Sequence, residues 1–261
     1  LQTYFHTNSY DTPPNKRFLG DRLVLDTRLV FVAGVVNVIN RARILANQGR
    51  YDDAVWVKSS IDILKIIEGC GGKFHLRGLD NISSCHEPVV FISNHMSTLE
   101  TFVFPCLIEP FMNVTFVVKD SLIKHPFFGS IMRSRDPIVV GRDNPREDFK
   151  IVMEKGKELL NKGTSVIIFP QSTRTLTFEP EKFNSLGIKL AKAAGVKVIP
   201  AAIKTDFWGY GKILKDLGPI SRNKPIYMNF GEPFSIKGSG KDEHQAIVDF
   251  IQRNLNDWET T

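Results

Sequence analysis

The chain has 261 residues, 42% hydrophobic and 24% charged, with a formal net charge of +6. That is an ordinary globular composition, enough for one large domain or a domain with an appendage. The basic balance suits phosphate-bearing substrates, acidic lipids or nucleic acid, and nucleic acid drops out because the basic residues are not interleaved with aromatics on any one element. Cys70, Cys85 and Cys106 are odd in number and lack metal-ligand spacing, which argues for a reducing cytoplasm and against a disulfide framework or a metal centre.

Residues 1–20 read as a loose leader, with Pro13-Pro14 among many polar residues. The chain opens on Leu1 rather than Met, which leaves room for an upstream segment. Asp21 to about Asn47 reads as a long helix whose middle, Leu29 to Ile39, is apolar nearly all round and is flanked by Arg17, Arg22, Arg28, Arg41 and Arg43. That run is shorter than the roughly 20 apolar residues a bilayer span needs. Tyr51 to Glu68 reads as a second helix, with Val57, Ile61, Leu64 and Ile67 on one face. Residues 21–69 thus form a helical hairpin that either covers the core or lies in a membrane interface with its basic residues at the headgroups.

From Gly72 onward strands and helices alternate. Strands are expected at 73–78, 88–93, 113–119, 136–140, 164–169, 196–203 and 225–230, and helices at 97–108, 145–162, 184–194 and 241–257. Asn144 caps the helix at 145, Pro145 sits in its first turn and Gly163 follows its end. Short apolar strands alternating with helices predict an α/β domain over 70–261, with a buried, largely parallel sheet flanked by helices. In such sheets sites gather at the carboxyl ends of strands.

Three polar clusters follow strands: "SNHMSTLE" after 88–93, "GRDN" after 136–140, and "PQSTRT" after "SVIIF". In a parallel sheet they face one edge, so His95, Arg142, Arg174 and Lys119 converge there. A histidine among cations suits proton abstraction beside a phosphate. Each residue also has a plainer reading. Ser97 and Glu100 form an S-x-x-E capping box, Arg142 and Arg174 singly are surface residues, Lys119 is a solvated strand end, and Ser172 and Thr173 serve a turn. "KGSGK" at 237–241 fails as a phosphate loop: it lacks the earlier glycine, and Asp242 stands where Ser or Thr belongs.

Together, and in this order, the clusters resemble the glycerolipid acyltransferases, the family typified by 1-acylglycerol-3-phosphate (lysophosphatidic acid) acyltransferase. Its N-H-x-x-x-x-D motif is matched by Asn94, His95 and, imperfectly, Glu100; its strand-ending arginine by Arg142 after "PIVV". Its F-P-E-G-T-R motif is matched by "FPQSTR", Phe169 to Arg174, and its apolar stretch around a proline by "VIPAAI", which contains Pro200. The likeness runs roughly from Phe74 to Pro233.

The resemblance implies transfer of an acyl group from acyl-CoA or acyl carrier protein to the free hydroxyl of a lysophospholipid, with phosphatidic acid as product. It implies His95 as general base, Glu100 as its carboxylate partner, and Arg142, Arg174, Thr173 and Lys119 on the acceptor's phosphate. Asn94, Gln171, Ser172 and Pro200 support the motifs. It implies no cofactor and no metal, a peripheral place on the cytoplasmic face of a membrane, and an interfacial hairpin at 21–69. Three residues depart from the pattern: Glu100 stands for Asp, Gln171 for Glu and Ser172 for Gly. A serine at a glycine site with positive φ costs about 1 kcal/mol. These departures leave open another lysolipid acceptor, or a lipid-binding pseudoenzyme.

Overall fold

The computed structural model describes residues 3–23, 27–171, 173–211 and 216–260. One sheet is built from β1 (Tyr10–Asp11), β2 (Phe74–Arg77), β3 (Val90–Ser93), β4 (Val114–Lys119), β5 (Ile138–Val140), β6 (Ser165–Ile168), β7 (Val198–Lys204) and β8 (Ile226–Phe230). Their order across the sheet is β1-β2-β8-β7-β3-β6-β4-β5. Pairing is parallel throughout except between β1 and β2 and between β7 and β8.

The helices among the described residues are α1 (Leu19–Leu23), α2 (Leu29–Asn47), α3 (Asp53–Gly69), α4 (Asp80–Ser83), α5 (Leu99–Ile108), α6 (Asp120–Ile123), α7 (Gly129–Arg133), α8 (Pro145–Asn161), α9 (Leu186–Ala194) and α10 (Lys241–Glu259). The expected strands and the longer helices of the α/β domain all form, with ends shifted by a few residues.

Both faces of the sheet are covered, which is why its strands read as continuous apolar runs rather than alternating ones. β3 divides its side chains by parity. Phe91 joins a core with α2, α3 and α5, through Phe31, Leu64 and Phe104. Val90 and Ile92 join a second core with α8, α9 and α10, through Val152, Leu190 and Ile251. Because β3, β4, β5, β6 and β7 run parallel, their carboxyl ends deliver residues 94–100, 120, 141–142, 169–171, 173–175 and 205 to one edge of the sheet.

The N-terminal segment departs from expectation. Residues 3–18 are tied down rather than loose. Tyr10–Asp11 adds β1 to the edge of β2, and Phe18 lies on Gly69, its backbone N–H donating to the Gly69 carbonyl at 2.8 Å. The anchor is the fully buried Glu68 carboxylate. It accepts from the Tyr10 hydroxyl (2.6 Å) and the Thr12 hydroxyl (2.8 Å) and pairs with Lys16 at 2.6 Å. A buried charge demands such partners, and Tyr10, Thr12 and Lys16 of the leader supply them.

The first long helix begins at Leu29, not Asp21: α1 precedes it as a separate turn, and part of the expected helix, 24–26, lies outside the described residues. At 19 residues and a mean hydropathy of 1.6, α2 is long and apolar enough to cross a membrane by length and composition. One stripe of it, Phe31, Val35, Val38, Ile39 and Ala42, is nonetheless buried against the protein. The hairpin is therefore part of the core and not a separable appendage. Ile63, Leu64 and Ile67 of α3 are 0–1% exposed, and α3 packs along α5, the helix that carries Glu100.

Candidate active site

β3 ends at Ser93, and the chain then turns sharply into α5. Asn94 fixes that turn: its side-chain amide donates to the Ile203 carbonyl (2.8 Å) and accepts from the Ile203 N–H (2.9 Å) on neighbouring β7. His95 follows at the strand mouth. Its backbone N–H donates to Gln171 Oε1 at 2.9 Å, and its ring stacks on Phe169 with centroids 4.2 Å apart.

His95 Nδ1 lies 2.9 Å from Glu100 Oε1, and Glu100 is completely buried. The same Oε1 accepts the backbone N–H groups of Met96 (2.7 Å) and Ser97 (2.9 Å). Oε2 lies 3.0 Å from Ser97 Oγ and 2.7 Å from Thr205 Oγ1. Half of the capping box is also present: Glu100 Oε1 takes the Ser97 N–H, and Ser97 Oγ accepts from the Leu99 N–H at 3.0 Å. Capping and holding the histidine are therefore not alternatives: one carboxylate does both. Burial alone would raise the Glu100 pKa, but hydrogen bonds from His95, Thr205 and Ser97 more than offset it and hold the carboxyl below its ordinary value. An anionic acceptor at Nδ1 fixes the proton there, leaving Nε2 as the basic nitrogen.

Arg142 follows β5 in a left-handed conformation, φ 68°, which costs a residue with a Cβ about 1–2 kcal/mol. Asp148, in the first turn of α8, holds it there by accepting the N–H groups of Gly141 and Arg142, both at 2.9 Å. Among the described residues the Arg142 guanidinium has no hydrogen-bond or ion-pair partner. Burial, resisted by Asp148 and reinforced by the neighbouring Arg174, holds its pKa below the ordinary value. Arg174 is engaged instead. It pairs with Asp216 at 2.7 Å, donates to the Thr98 hydroxyl and lies 4.7 Å over the Tyr210 ring.

One cavity of about 640 Å³ joins these groups. His95, Thr98, Lys119, Arg142, Thr173 and Arg174 line its polar part, and Val38, Trp56, Ile63, Phe102 and Phe128 line its apolar part beneath the α2–α3 hairpin. Asn94 and Pro200 do not line it. Both are buried at the β3–β7 contact, where Ile92 is registered with Pro200. Gln171 is buried behind His95, its Nε2 donating to Thr175 Oγ1 at 2.7 Å. Ser172 lies outside the described residues. Thr205, Asp216 and Tyr210 were not singled out from the sequence. Thr205, the polar residue at the carboxyl end of an apolar strand, carried a usable signal; the other two, in a loop between β7 and β8, carried none. Among the described residues no group of three His, Cys, Asp or Glu side chains is placed to hold a metal ion.

The acyltransferase family profile matches residues 73–204, about half of the chain and the part that carries His95, Glu100, Arg142 and Arg174. The chain belongs to the acyltransferase family. It is 36% identical over 163 residues to the 1-acyl-sn-glycerol-3-phosphate acyltransferase of Pseudomonas aeruginosa, covering 62% of this chain and 61% of that one. It is 30% identical over 142 residues to a chloroplastic enzyme of the same name from Arabidopsis thaliana, covering 54% and 38%. The chain thus matches about three-fifths or less of the length of these relatives. The crystal structure of the 1-acyl-sn-glycerophosphate acyltransferase of Thermotoga maritima superposes with a TM-score of 0.58 over 92% of this chain and 93% of that one. At 19% identity that likeness speaks for the fold alone.

Proposed function

We propose that this acyltransferase moves a fatty acyl group from a thioester donor, acyl-CoA or acyl carrier protein, to the free hydroxyl of lysophosphatidic acid, forming phosphatidic acid at the cytoplasmic face of a membrane. The observation that carries the reading is the pair of His95 and the buried Glu100 in the wall of a cavity that holds, at one part, an Arg142 guanidinium without a partner among the described residues and continues into apolar space at another. In this mechanism Nε2 of His95 removes the acceptor's hydroxyl proton as the oxygen attacks the thioester carbonyl, and Glu100 stabilises the imidazolium that forms. The tetrahedral intermediate collapses, the C–S bond breaks, and His95 returns the proton to the thiolate. No acyl-enzyme is required; Ser97, the nearest hydroxyl, is 3% exposed and committed to Glu100 and the Leu99 N–H.

Arg142, Lys119, Thr173 and, once released from Asp216, Arg174 would bind the acceptor's phosphate. The acyl chain would lie along the apolar lining. Phe18, Leu19, Leu23 and Leu29 expose 45%, 72%, 72% and 65% of their surface beside Arg22 and Arg28, a combination that suits an acidic lipid surface.

The test is turnover of the purified chain against a panel of lysolipids with acyl-CoA and acyl carrier protein donors, products read by mass spectrometry, in wild type and His95→Ala. Acceptor-dependent thioester cleavage that falls at least about a hundredfold in the variant supports the reading. Lysolipid binding without cleavage would make the chain a lipid-binding pseudoenzyme. Full turnover in His95→Ala would end the base assignment.

A further inference from the structure

We propose that Thr205 is a positioning residue of this site: its hydroxyl locks the Glu100 carboxylate so that Oε1 stays on His95, a role created by the longer side chain that stands here in place of Asp. The inference rests on the acyltransferase reading for its kinetic consequences, but not for its geometry.

Glu100 Oε1 is spoken for by three N–H groups, those of His95, Met96 and Ser97. Rotation of the carboxylate about its terminal bond moves both oxygens, so the partners of Oε2 share with these N–H groups in fixing it. Two hydroxyls touch Oε2, Thr205 at 2.7 Å and Ser97 at 3.0 Å, and they lie 3.0 Å from each other. Two hydroxyl protons cannot fill the three edges of that triangle. Thr205 has the shortest edge to the anion, as expected of its donor, while Ser97 Oγ is also taken up as acceptor for the Leu99 N–H.

Thr205 is itself rigidly placed. It is 0% exposed, and its N–H points to Met96 Sδ at 3.2 Å. Two residues earlier, within β7, Ile203 is clamped by Asn94. The end of β7 thus fixes the His95 segment twice, once through the Asn94 side chain before the histidine and once through the Glu100 carboxylate after it. An Asp at position 100 lacks one methylene and would withdraw its carboxylate toward the start of α5, away from β7. The contact with Thr205 needs the glutamate.

The test uses the full chain with Thr205→Val, which is isosteric but cannot donate, Thr205→Ser, which can, and each in the Glu100→Asp background. Thr205→Val should lower kcat at least tenfold with little change in either KM, and Thr205→Ser should restore most of it. In the Glu100→Asp background Thr205→Val should add little, because the contact is already broken; that is the coupling a double-mutant cycle measures. An arm independent of turnover follows the downfield Nδ1 proton of His95 by NMR, assigned with His95→Ala. It should be sharp in wild type and Thr205→Ser and broadened or lost in Thr205→Val. If wild type transfers no acyl group to any lysolipid but the proton behaves this way, the positioning role stands and the activity reading falls. A Thr205→Val protein with the wild-type proton signal, or an equal loss of kcat in the Glu and Asp backgrounds, overturns the proposal. So does a loss of kcat that only follows the folded fraction.

Discussion

Arg174 and Asp216 form an ion pair at 2.7 Å in the wall of the same cavity in which the Arg142 guanidinium has no hydrogen-bond or ion-pair partner among the described residues. The two arginines, matched to adjacent family motifs, are thus in different states before any acceptor arrives. A phosphate bound as proposed would meet Arg142 as an available cation and Arg174 as one that must exchange partners.

Arg142→Ala is therefore expected to raise the KM for the phosphorylated acceptor more than Arg174→Ala does, since a charge-assisted hydrogen bond is worth roughly 1.5–3 kcal/mol and, of the two, Arg174 must first give up Asp216. Asp216→Asn is expected to lower that KM severalfold, the scale of a partly exposed ion pair of up to about 1 kcal/mol. Donor KM should be unchanged in all three. A donor KM that rises as much as the acceptor KM would misplace the phosphate.

The membrane expectation is tested on the surface, because the hairpin's other face is core and deleting residues 1–69 would remove Phe31, Leu64 and Ile67 from it. Leu19→Ser, Leu23→Ser and Leu29→Ser together should weaken sedimentation with anionic vesicles more than tenfold, since each buried leucine contributes about 1.5–3 kcal/mol. The melting temperature should hold, these side chains being 65–72% exposed. Unaltered vesicle binding would put the contact elsewhere.

Much of this was legible in the sequence, for definable reasons. β3, β6 and β7 were readable because burial on both faces makes them unbroken apolar runs, and His95 and Glu100 because a strand-to-helix turn fixes their spacing. β1 was not readable: its two residues form a strand only because β2 lies beside them, and the leader is ordered by Glu68, some 50 residues further on. Nor were Asp216 and Tyr210, which reach Arg174 from a long connection with no periodicity. Thr205 was readable only as a polar residue at the active edge; its partner could not be inferred without the register of β7 on β3.

Glu109, just past α5, is 4% exposed and accepts the Val114 N–H at 2.9 Å. Burial, helped by Asp53 and opposed by that N–H and Arg135, pushes its carboxyl up to about 8. The unfolded chain loses this proton near pH 4.5 and the native chain near pH 8. Between them the native state holds the extra proton, so the contribution to stability is full below about 4.5 and is lost as pH rises to about 8. Glu109→Gln keeps the acceptor oxygen and has nothing to titrate. Relative to wild type it should gain on the order of a few kcal/mol between pH 5 and pH 9 in denaturant melts. A difference that does not change with pH would mean Glu109 titrates normally.

Glu100 binds five donors, and two substitutions separate what each binding does. Glu100→Gln keeps an oxygen for the Met96 and Ser97 N–H groups and places an amide N–H₂ against Ser97 and Thr205, whose hydroxyl oxygens can accept it. The capping box tolerates Gln at this place, so the melting temperature should fall little at pH 7. With His95 as the proposed base, turnover should fall heavily, because a neutral amide would not stabilise the imidazolium formed when the ring takes the proton. Glu100→Asp restores the charge but shortens the reach, giving up Thr205 and the bracket on Oε2, and should fall between wild type and Gln in turnover. Acid should expose the same carboxylate in wild type. Its native pKa is depressed, so the stability it contributes is present above about pH 4.5 and is lost as pH falls through the lower native value. Glu100→Gln should lack that part of the acid transition. Turnover and melting curves from pH 3 to pH 8 for both variants decide the matter. A Gln variant with full turnover, or one that loses activity only with its folded fraction, would leave Glu100 a helix cap and nothing more.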